Sequence, residues 1–329
     1  MDVGSFAAQS HVIVVAGKGG VGKTTMSAAL ARMVADAGFT VLIVELEGKS
    51  GITGAFGLRD DLGYEEVRLS GPGPGSGSVR ARRITPDDAL VEYLEDHGLR
   101  RVSKRLAHSG LVDVVATAIP GIRDVLVLGK VKQLERDRVA DLIVVDAPAT
   151  GHAITFLTSA SGLVSAARGG PVRTQAQDVV ELLSDPSRCR VILVTLPEEL
   201  PVSETIESAY TLEDRAGVQL GPVIVNACDP EPVGLERPAA EVVASTAAGG
   251  GPSMATGHLA ALEAAREFRL ARHAVSAEQV ERLGRELPLP RLLVPAVDAD
   301  AIGSAESAAL AGALAVAVAG LVTVPEGAE

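Results

Sequence analysis

The stretch GKGGVGKTT, Gly17 to Thr25, decides the fold class of this chain. It fits the phosphate-loop pattern G-x-x-x-x-G-K-[ST], in which backbone N–H groups and a helix start cradle phosphate oxygens. The apolar run HVIVVA precedes the loop and the helical pattern TMSAALARMVADAG follows it. This strand, loop and helix are the context that the motif requires, so the sequence predicts a nucleotide-binding site.

The pattern assigns a part to each side chain of the site. Lys23 is expected to reach the β- and γ-phosphates, and the Thr24 hydroxyl to hold Mg²⁺. Asp146 ends the apolar run DLIVVD, where an acid is expected to orient the same Mg²⁺ through water. The predicted cofactors are therefore ATP or ADP with Mg²⁺. The loop residues predicted to contact the nucleotide are Gly17, Lys18, Gly19, Gly20, Val21, Gly22, Lys23, Thr24 and Thr25.

Apolar runs alternate with helical patterns along the whole chain. Further strands are predicted at VLIVEL, DLIVVDAP, RVILVTL, GPVIVNA and RLLVPAV, which are residues 41–46, 141–148, 190–196, 221–227 and 291–297. Strands separated by helices predict an α/β fold with a doubly wound, mostly parallel sheet. We expect one phosphate-loop domain over residues 1–329, with a small helical subdomain contributed by about 85–135 and 158–185.

Composition narrows the function classes. The net charge of −12 argues against nucleic acid as the main partner, since neutralising phosphates needs clustered basic residues. The basic stretches at 80–83 (RARR) and 99–105 (LRRVSKR) are interpreted as solvated helix or loop faces. The two cysteines lie far apart without a CxxC pair, which predicts a reducing cytoplasm and no zinc site. The uncharged stretch 308–324 is interpreted as a packed C-terminal helix, not an integral membrane segment.

A second lysine, Lys18, follows the first glycine of the loop, in a chain with only six lysines and 24 arginines. This deviant loop resembles the group of dimeric ATPases that includes MinD, ParA, the nitrogenase iron protein and the arsenite ATPases. The resemblance implies a dimer in which Lys18 contacts the phosphates bound by the partner. A cation delivered in this way would stabilise charge on the transferring phosphoryl group.

Later stretches resemble the ArsA-like family, which includes the arsenite-efflux and tail-anchored-protein-targeting ATPases. DAPATGHAITFL (146–157) is similar to the family's switch segment DTAPTGHTLRFL. PGIRD (120–124), LPEELPVSET (196–205), VIVNA (223–227) and LLVPAV (292–297) follow the family's landmarks in order. The resemblance implies that Asn226 binds adenine and that Pro295 covers the adenine edge. It also implies that His152 is a switch or interface residue rather than a catalytic base.

The departures from the family limit the prediction. Where the family has TDPAH this chain has LEGKS (46–50), so Glu47 replaces the aspartate that positions the attacking water. Glutamate keeps the carboxylate one methylene further out, which favours slow hydrolysis with Lys18, Lys23, Glu47 and Asp146 as catalytic residues. The chain lacks the clustered cysteines of the metalloid site, the zinc CxxC and the long Met-rich client insertion.

The sequence therefore predicts a cytoplasmic, dimeric, nucleotide-switched ATPase with an unknown client protein. The dimer is expected to form from two copies or with a paralogue that keeps the aspartate motif. Two alternatives stay open: a catalytically weak nucleotide-binding subunit of such a heterodimer, and a positioning ATPase similar to MinD or ParA. The acidic tail LVTVPEGAE (321–329) disfavours the second alternative, because a MinD-like protein would carry a basic amphipathic helix there.

Overall fold

One sheet organises the protein, which we describe from a computed structural model that covers residues 1–46, 51–71, 77–96, 121–249 and 256–321. Within these residues the sheet has eight strands, in the spatial order β3-β4-β2-β5-β1-β6-β7-β8. Neighbouring strands are parallel except for β3 and β4, which are antiparallel. The strands are β1 (Val12–Gly17), β2 (Thr40–Leu46), β3 (Val67–Ser70), β4 (Ser78–Ile84), β5 (Leu142–Ala149), β6 (Cys189–Thr195), β7 (Val223–Cys228) and β8 (Arg291–Pro295).

Helices connect the strands and cover both faces of the sheet. They are α1 (Val3–Ala7), α2 (Lys23–Asp36), α3 (Pro86–Asp96), α4 (Ile122–Arg136), α5 (Thr150–Ala166), α6 (Pro171–Ser184), α7 (Glu199–Ala216), α8 (Ala239–Ala248), α9 (Thr256–Glu286) and α10 (Ser304–Ala319), with a short 3₁₀ turn at Gly54–Phe56. One face packs against α2 and α10. The other packs against α4 to α7 and the C-terminal part of α9.

The core consists mainly of aliphatic side chains, as the near absence of aromatic residues requires. Side chains alternate between the two faces, which is clear on β2: Leu42 and Val44 join the core on the α4–α7 side, and Val41 and Ile43 join the core on the α2 side. Strands buried on both faces in this way are typical of parallel sheets between helical layers.

The strand order places the predicted site at the centre of the sheet. β1 pairs with β5 on one side and with β6 on the other; β2 to β4 lie beyond β5, and β7 and β8 lie beyond β6. Ligands of open α/β sheets bind at such a switch point, outside the carboxyl ends of the strands. The phosphate loop follows the carboxyl end of β1, so topology alone brings it next to the ends of β5 and β2.

The predicted α/β class and the mostly parallel doubly wound sheet are confirmed. The helices of the expected subdomain, α3 to α6, pack on one another, but the division of the chain into domains stays a prediction, and residues 97–120 lie outside the described residues. The C-terminal stretch forms α10, whose Leu310 and Leu314 are buried. Among the described helices, none combines the length and apolarity needed to cross a membrane.

One prediction about a basic stretch is wrong. RARR does not form a solvated helix or loop face: it lies in β4, where Arg82 is buried beneath the ring of Tyr64, with 4.2 Å between guanidinium carbon and ring centroid. Arg80 pairs with Glu66. Arginine stems can pack along apolar surface while their charges find partners, so the basic residues alternate with buried Val79 and Ala81 in a regular strand. The second stretch, LRRVSKR, lies outside the described residues.

Candidate nucleotide site

The loop between β1 and α2 follows a path that glycine permits. Gly20 and Gly22 have φ values of 86° and 90°, a region that side chains with a Cβ rarely enter. At Gly17 the limit is space: a Cβ there would lie 2.3 Å from the carbonyl oxygen of Val194 on β6. Around Gly19 and Gly20 there is no such neighbour within 4 Å in the described part of the chain. The backbone of the loop therefore stands open on one side and is packed against β6 on the other.

Lys23 begins α2, and its side chain is only 7% exposed. Its Nζ donates a hydrogen bond to the carbonyl oxygen of Lys18, 2.7 Å away. The ammonium group is thus held over the loop by the loop's own backbone. The N-cap residue, Gly22, supplies no side-chain acceptor, so the first N–H groups of the helix are left for a ligand at the loop. Both features favour a bound phosphate.

Asp146 joins the loop to the neighbouring strand. Its carboxylate is fully buried and accepts hydrogen bonds from the hydroxyl of Thr24 at 2.7 Å and from the hydroxyl of Ser27 at 3.3 Å. Sequence reasoning missed Ser27, which lies three residues after Thr24 and therefore on the same side of the helix. The hydroxyl of Thr24 and the carboxylate of Asp146, predicted from positions 122 residues apart, are in direct contact.

These oxygen groups fit Mg²⁺. The ion prefers hard oxygen ligands and retains several waters, so a single hydroxyl with a nearby carboxylate and the phosphates of a nucleotide forms a suitable donor set. Thr24 would hold the ion directly, and Asp146 would accept hydrogen bonds from its water. Among the described residues, no cluster of three or more histidine, cysteine or acidic side chains is placed to hold a metal by itself.

A second buried acid stands beside Asp146. Glu45, 1% exposed, is the register partner of Asp146 across β2 and β5, and it forms a salt bridge with Arg83 at 2.9 Å. Burial raises the pKa of Glu45; the charge of Asp146 acts in the same direction, while Arg83 and the backbone N–H of Ile52 lower it. Sequence reasoning missed this residue. The available signal was an acid inside the apolar run VLIVEL.

Lys18 points away from the loop. Its ammonium group forms a salt bridge with Glu204 on α7, and its side chain is 51% exposed. The two lysines of the loop therefore differ: Lys23 is buried over the loop, and Lys18 lies at the surface. A lysine at the surface is the arrangement that contact with a second molecule requires, although in this structure its charge is occupied within the chain.

Asn226 also reaches the loop. Its amide nitrogen donates to the carbonyl oxygen of Val21 at 2.9 Å, and its amide oxygen accepts from the backbone N–H of Ala227. The adenine contact that the sequence predicts for this residue stays a prediction; in the structure its amide group bonds the phosphate loop. Pro295, predicted to cover adenine, ends β8 and is exposed, and it is the register partner of Cys228 on β7. Both residues therefore lie at the carboxyl end of adjacent strands.

Two further predictions concern Glu47 and His152. Glu47 lies outside the described residues, so its predicted role stays a prediction. His152, in the first turn of α5, is exposed and lines a cavity of about 470 Å³ together with Asp124 and Arg123 of α4. Burial raises the pKa of the Asp124 carboxyl, and the charges of Arg123 and His152 offset only part of this rise. Since the cavity lies beside Leu46 and Pro148, it adjoins the strand ends but does not include the phosphate loop.

Comparison with known proteins agrees with this site. Residues 10–166, which contain the phosphate loop and Asp146, match the family of anion-transporting ATPases. The chain is 40% identical over 222 residues to the ATPase BagA of Mycobacterium tuberculosis, covering 65% of this chain and 64% of that protein. It is 31% identical over 229 residues to an arsenical pump-driving ATPase of Escherichia coli, covering 68% of this chain and 36% of that one.

A eukaryotic relative shows the same likeness over a shorter region. The ATPase get3 of Schizosaccharomyces japonicus is 32% identical over 145 residues, or 44% of this chain and 42% of that protein. The matched region spans less than two thirds of the length of each of these relatives. Residues 10–166, which hold the strands, the phosphate loop and Asp146 of the site described above, are therefore similar to the ArsA-like family of ATPases.

Proposed function

We propose that this protein is a Mg²⁺-dependent ATPase that works as a nucleotide-driven switch in a dimer. The contact of 2.7 Å between the Thr24 hydroxyl and the Asp146 carboxylate is the observation that carries the proposal. It brings together a hydroxyl ligand, a buried acid of β5 and the buried ammonium of Lys23 around one loop. A family of ATPases with the same elements supports the interpretation, although the relatives' full lengths are only partly matched.

The residues would divide the work in a simple way. Backbone N–H groups from Gly17 to Thr25 and the ammonium of Lys23 would bind the phosphates. Mg²⁺ would neutralise charge on the β- and γ-phosphates. For this the hydroxyl of Thr24, which donates to Asp146 in the present structure, would turn its oxygen toward the metal. Glu47 would orient the attacking water, and Asn226 and Pro295 would flank the adenine.

The dimer is proposed because of Lys18. Its side chain lies at the surface, where a second molecule can reach it, and it would have to leave Glu204 to act. In a dimer it would reach the phosphates held by the partner and add the cation that phosphoryl transfer needs. The partner would be a second copy or a paralogous ATPase. The switched output would be the surface of α3 to α6, where an unidentified client protein would bind.

In one alternative, the chain binds nucleotide but does not hydrolyse ATP efficiently. Glu47 stands where the family has aspartate, and in-line attack tolerates little displacement of the carboxylate. The chain would then hold nucleotide as a weak subunit while its partner hydrolyses ATP. A positioning ATPase similar to MinD or ParA remains the third hypothesis and has no observation from the described residues in its favour.

Phosphate release by the purified chain separates these functions. We expect ATP hydrolysis whose specific activity rises with protein concentration, because Lys18 acts between subunits, and whose rate falls to background in Asp146→Asn. The matched control is Asp141→Asn, just before the same strand, where the carboxylate accepts hydrogen bonds from the backbone N–H and the hydroxyl of Thr40 at the surface. A chain that binds ATP but stays inactive at every concentration, and gains activity only with an active paralogue, would establish the subunit alternative.

A further inference from the structure

Glu45 is an unusual residue for its place in the sheet. It lies near the carboxyl end of β2 in the run Val41 to Leu46, whose other members are aliphatic, and its side chain is 1% exposed. An ionised carboxylate in such a position is stable only if paired and hydrogen-bonded. Among the described residues, only one of its two carboxylate oxygens is paired with a donor.

The two oxygens of Glu45 have different surroundings. Oε2 accepts from Nη2 of Arg83 at 2.9 Å and from its Nε at 3.2 Å. Oε1 is buried, and no donor in the described part of the chain meets hydrogen-bond geometry with it, although the backbone N–H of Ile52 lies near the carboxylate. A buried acceptor without a donor destabilises the folded state, and more so when it is charged. Native structures rarely retain such a group without a function or a bound ligand to explain it.

The position of Glu45 connects it with the phosphate loop. In the register of β2 and β5 it lies opposite Asp146, and adjacent strands are roughly 4.8 Å apart. Val41 and Ile43, four and two residues before Glu45, face α2, as do Leu142 and Val144 before Asp146. Both acids therefore face the helix that begins with Lys23 and Thr24.

The chain after β2 returns to the same point. A Cβ on Gly51 would lie 3.5 Å from the side-chain methyl of Thr24, and the backbone N–H of Ile52 is close enough to lower the pKa of Glu45. Thr24, Asp146 and Glu45 thus form one small polar group beneath residues 51–53. Two buried carboxylates next to each other repel, so a cation beside them would stabilise both in the ionised form.

We propose that Glu45 is a second carboxylate of the magnesium–nucleotide site, whose free oxygen Oε1 accepts a hydrogen bond from the hydrated ion. The inference rests on the proposed function. In this role Glu45 is a positioning residue: it supports the ion beside Asp146 and does not touch the reacting phosphate. Of the two carboxylate oxygens, Arg83 bonds only Oε2 and leaves Oε1 for the hydrated ion. The competing explanation is a purely structural ion pair between β2 and β4.

The test separates magnesium binding from nucleotide binding. The affinity for a fluorescent ATP analogue is measured in EDTA and at increasing free Mg²⁺, for the wild type, Glu45→Gln and Arg83→Gln. Glu45→Gln keeps the size of the side chain and removes its charge. Outer partners of metal sites typically contribute about 10–100-fold to metal affinity. We therefore expect the apparent Mg²⁺ affinity of the nucleotide complex to fall by about tenfold, with affinity in EDTA unchanged or higher.

Arg83→Gln is the matched control, because it removes the ion pair and leaves the carboxylate. A positioning role predicts that this variant retains most of its Mg²⁺ affinity. A structural ion pair predicts instead that both variants lose thermal stability equally and keep the same Mg²⁺ affinity. If Glu45→Gln does not fold by circular dichroism, Glu45→Met, which suits a buried strand, is used with the same expected loss.

The possible failures are distinguishable. If the wild type binds no nucleotide, the proposed function fails and the role of Glu45 fails with it. If the wild type binds ATP more tightly with Mg²⁺ and Glu45→Gln shows the same apparent Mg²⁺ affinity, only the inference about Glu45 is overturned. Equal losses in Glu45→Gln and Arg83→Gln would also overturn it, since the ion pair and not the free oxygen would then be responsible.

Discussion

Replacing Lys18 should separate stability, binding and turnover, because its contacts are of different kinds. Its ammonium group pairs with Glu204 at the surface, with side-chain exposures of 51% and 23%, and such a pair contributes roughly 0.2–1 kcal/mol. The bond that fixes Lys23 uses the backbone carbonyl of Lys18, which alanine retains. The free energy of unfolding of Lys18→Ala should therefore lie within about 1 kcal/mol of the wild-type value. Its affinity for ATP should lie within a few fold of the wild-type affinity.

Turnover should respond far more strongly. A cation supplied between subunits in phosphoryl transfer is worth about 10³ or more in rate, if the behaviour of arginine fingers applies to this lysine. We expect phosphate release by Lys18→Ala to fall by about that factor at saturating ATP and Mg²⁺. A variant that hydrolyses ATP as fast as the wild type would refute the role of Lys18 between subunits.

Glu204 gives the same reasoning a second test with the opposite sign. If Lys18 must leave Glu204 to act, the pair opposes activity by at most about 1 kcal/mol, which corresponds to roughly fivefold in rate. Glu204→Gln should thus raise turnover by up to about fivefold. Glu207→Gln, an exposed acid on the same helix, is the matched control and should leave turnover unchanged. A loss of activity in Glu204→Gln alone would show that Glu204 supports Lys18 instead of retaining it.

Three further predictions concern stability and reactivity. Gly17→Ala should lower the free energy of unfolding by about 2–6 kcal/mol, because its Cβ would meet the Val194 backbone oxygen and overpacking and strain cost roughly 1–3 kcal/mol each. A free energy from urea denaturation within about 0.5 kcal/mol of the wild type would contradict this. Because burial raises the pKa of Asp124, its ionisation lowers the stability of the folded protein as pH rises. Asp124→Asn should therefore have a higher free energy of unfolding than the wild type at pH 8. This difference should disappear below the unfolded pKa near 3.8, where both states are protonated. Burial raises the pKa of Cys189 to about 12, so iodoacetamide should leave it unmodified in the native protein, and modification at the rate of an exposed thiol would refute its burial.

Local sequence was enough to predict the centre of the fold. The strand, glycine loop and helix from Val12 to Asp36 are contiguous, and each carries its own signal: an apolar run, a loop motif and a helical period. Asp146 was predicted from its place at the end of an apolar strand. Parallel topology then brought it to Thr24, since strand ends of a parallel sheet meet at one edge.

Side-chain pairs that are distant in sequence could not be predicted. Asn226 holds the carbonyl of Val21 across 205 positions, and the sequence of one segment contains no sign of the other. Glu45 and Arg83 are 38 positions apart. Glu45 is an acid in an apolar strand and Arg83 ends a basic run, and neither segment indicates that the two residues pair.

The error at β4 has the same origin. From Val79 to Arg82 its residues alternate between small apolar and basic side chains, which is a strand pattern. The positive charges of this stretch indicate solvent exposure when the partners of the arginines are not visible in the sequence. Glu66 and the ring of Tyr64 supply them in the folded protein.

Calorimetric titration of ATP with Mg²⁺ into the purified chain tests the central claim most directly, with Lys23→Ala measured beside the wild type. The claim is that the loop Gly17 to Thr25 binds the phosphates of a nucleotide, with Lys23 as a direct cation. Lys132→Ala is the control, because it removes a lysine that pairs with Asp178 on the helical layer, away from the loop. We expect one site per chain in the wild type and in Lys132→Ala, and a sharp loss of affinity in Lys23→Ala. Equal ATP affinity in Lys23→Ala and the wild type, or no binding by a folded wild type, would contradict the assignment of the site.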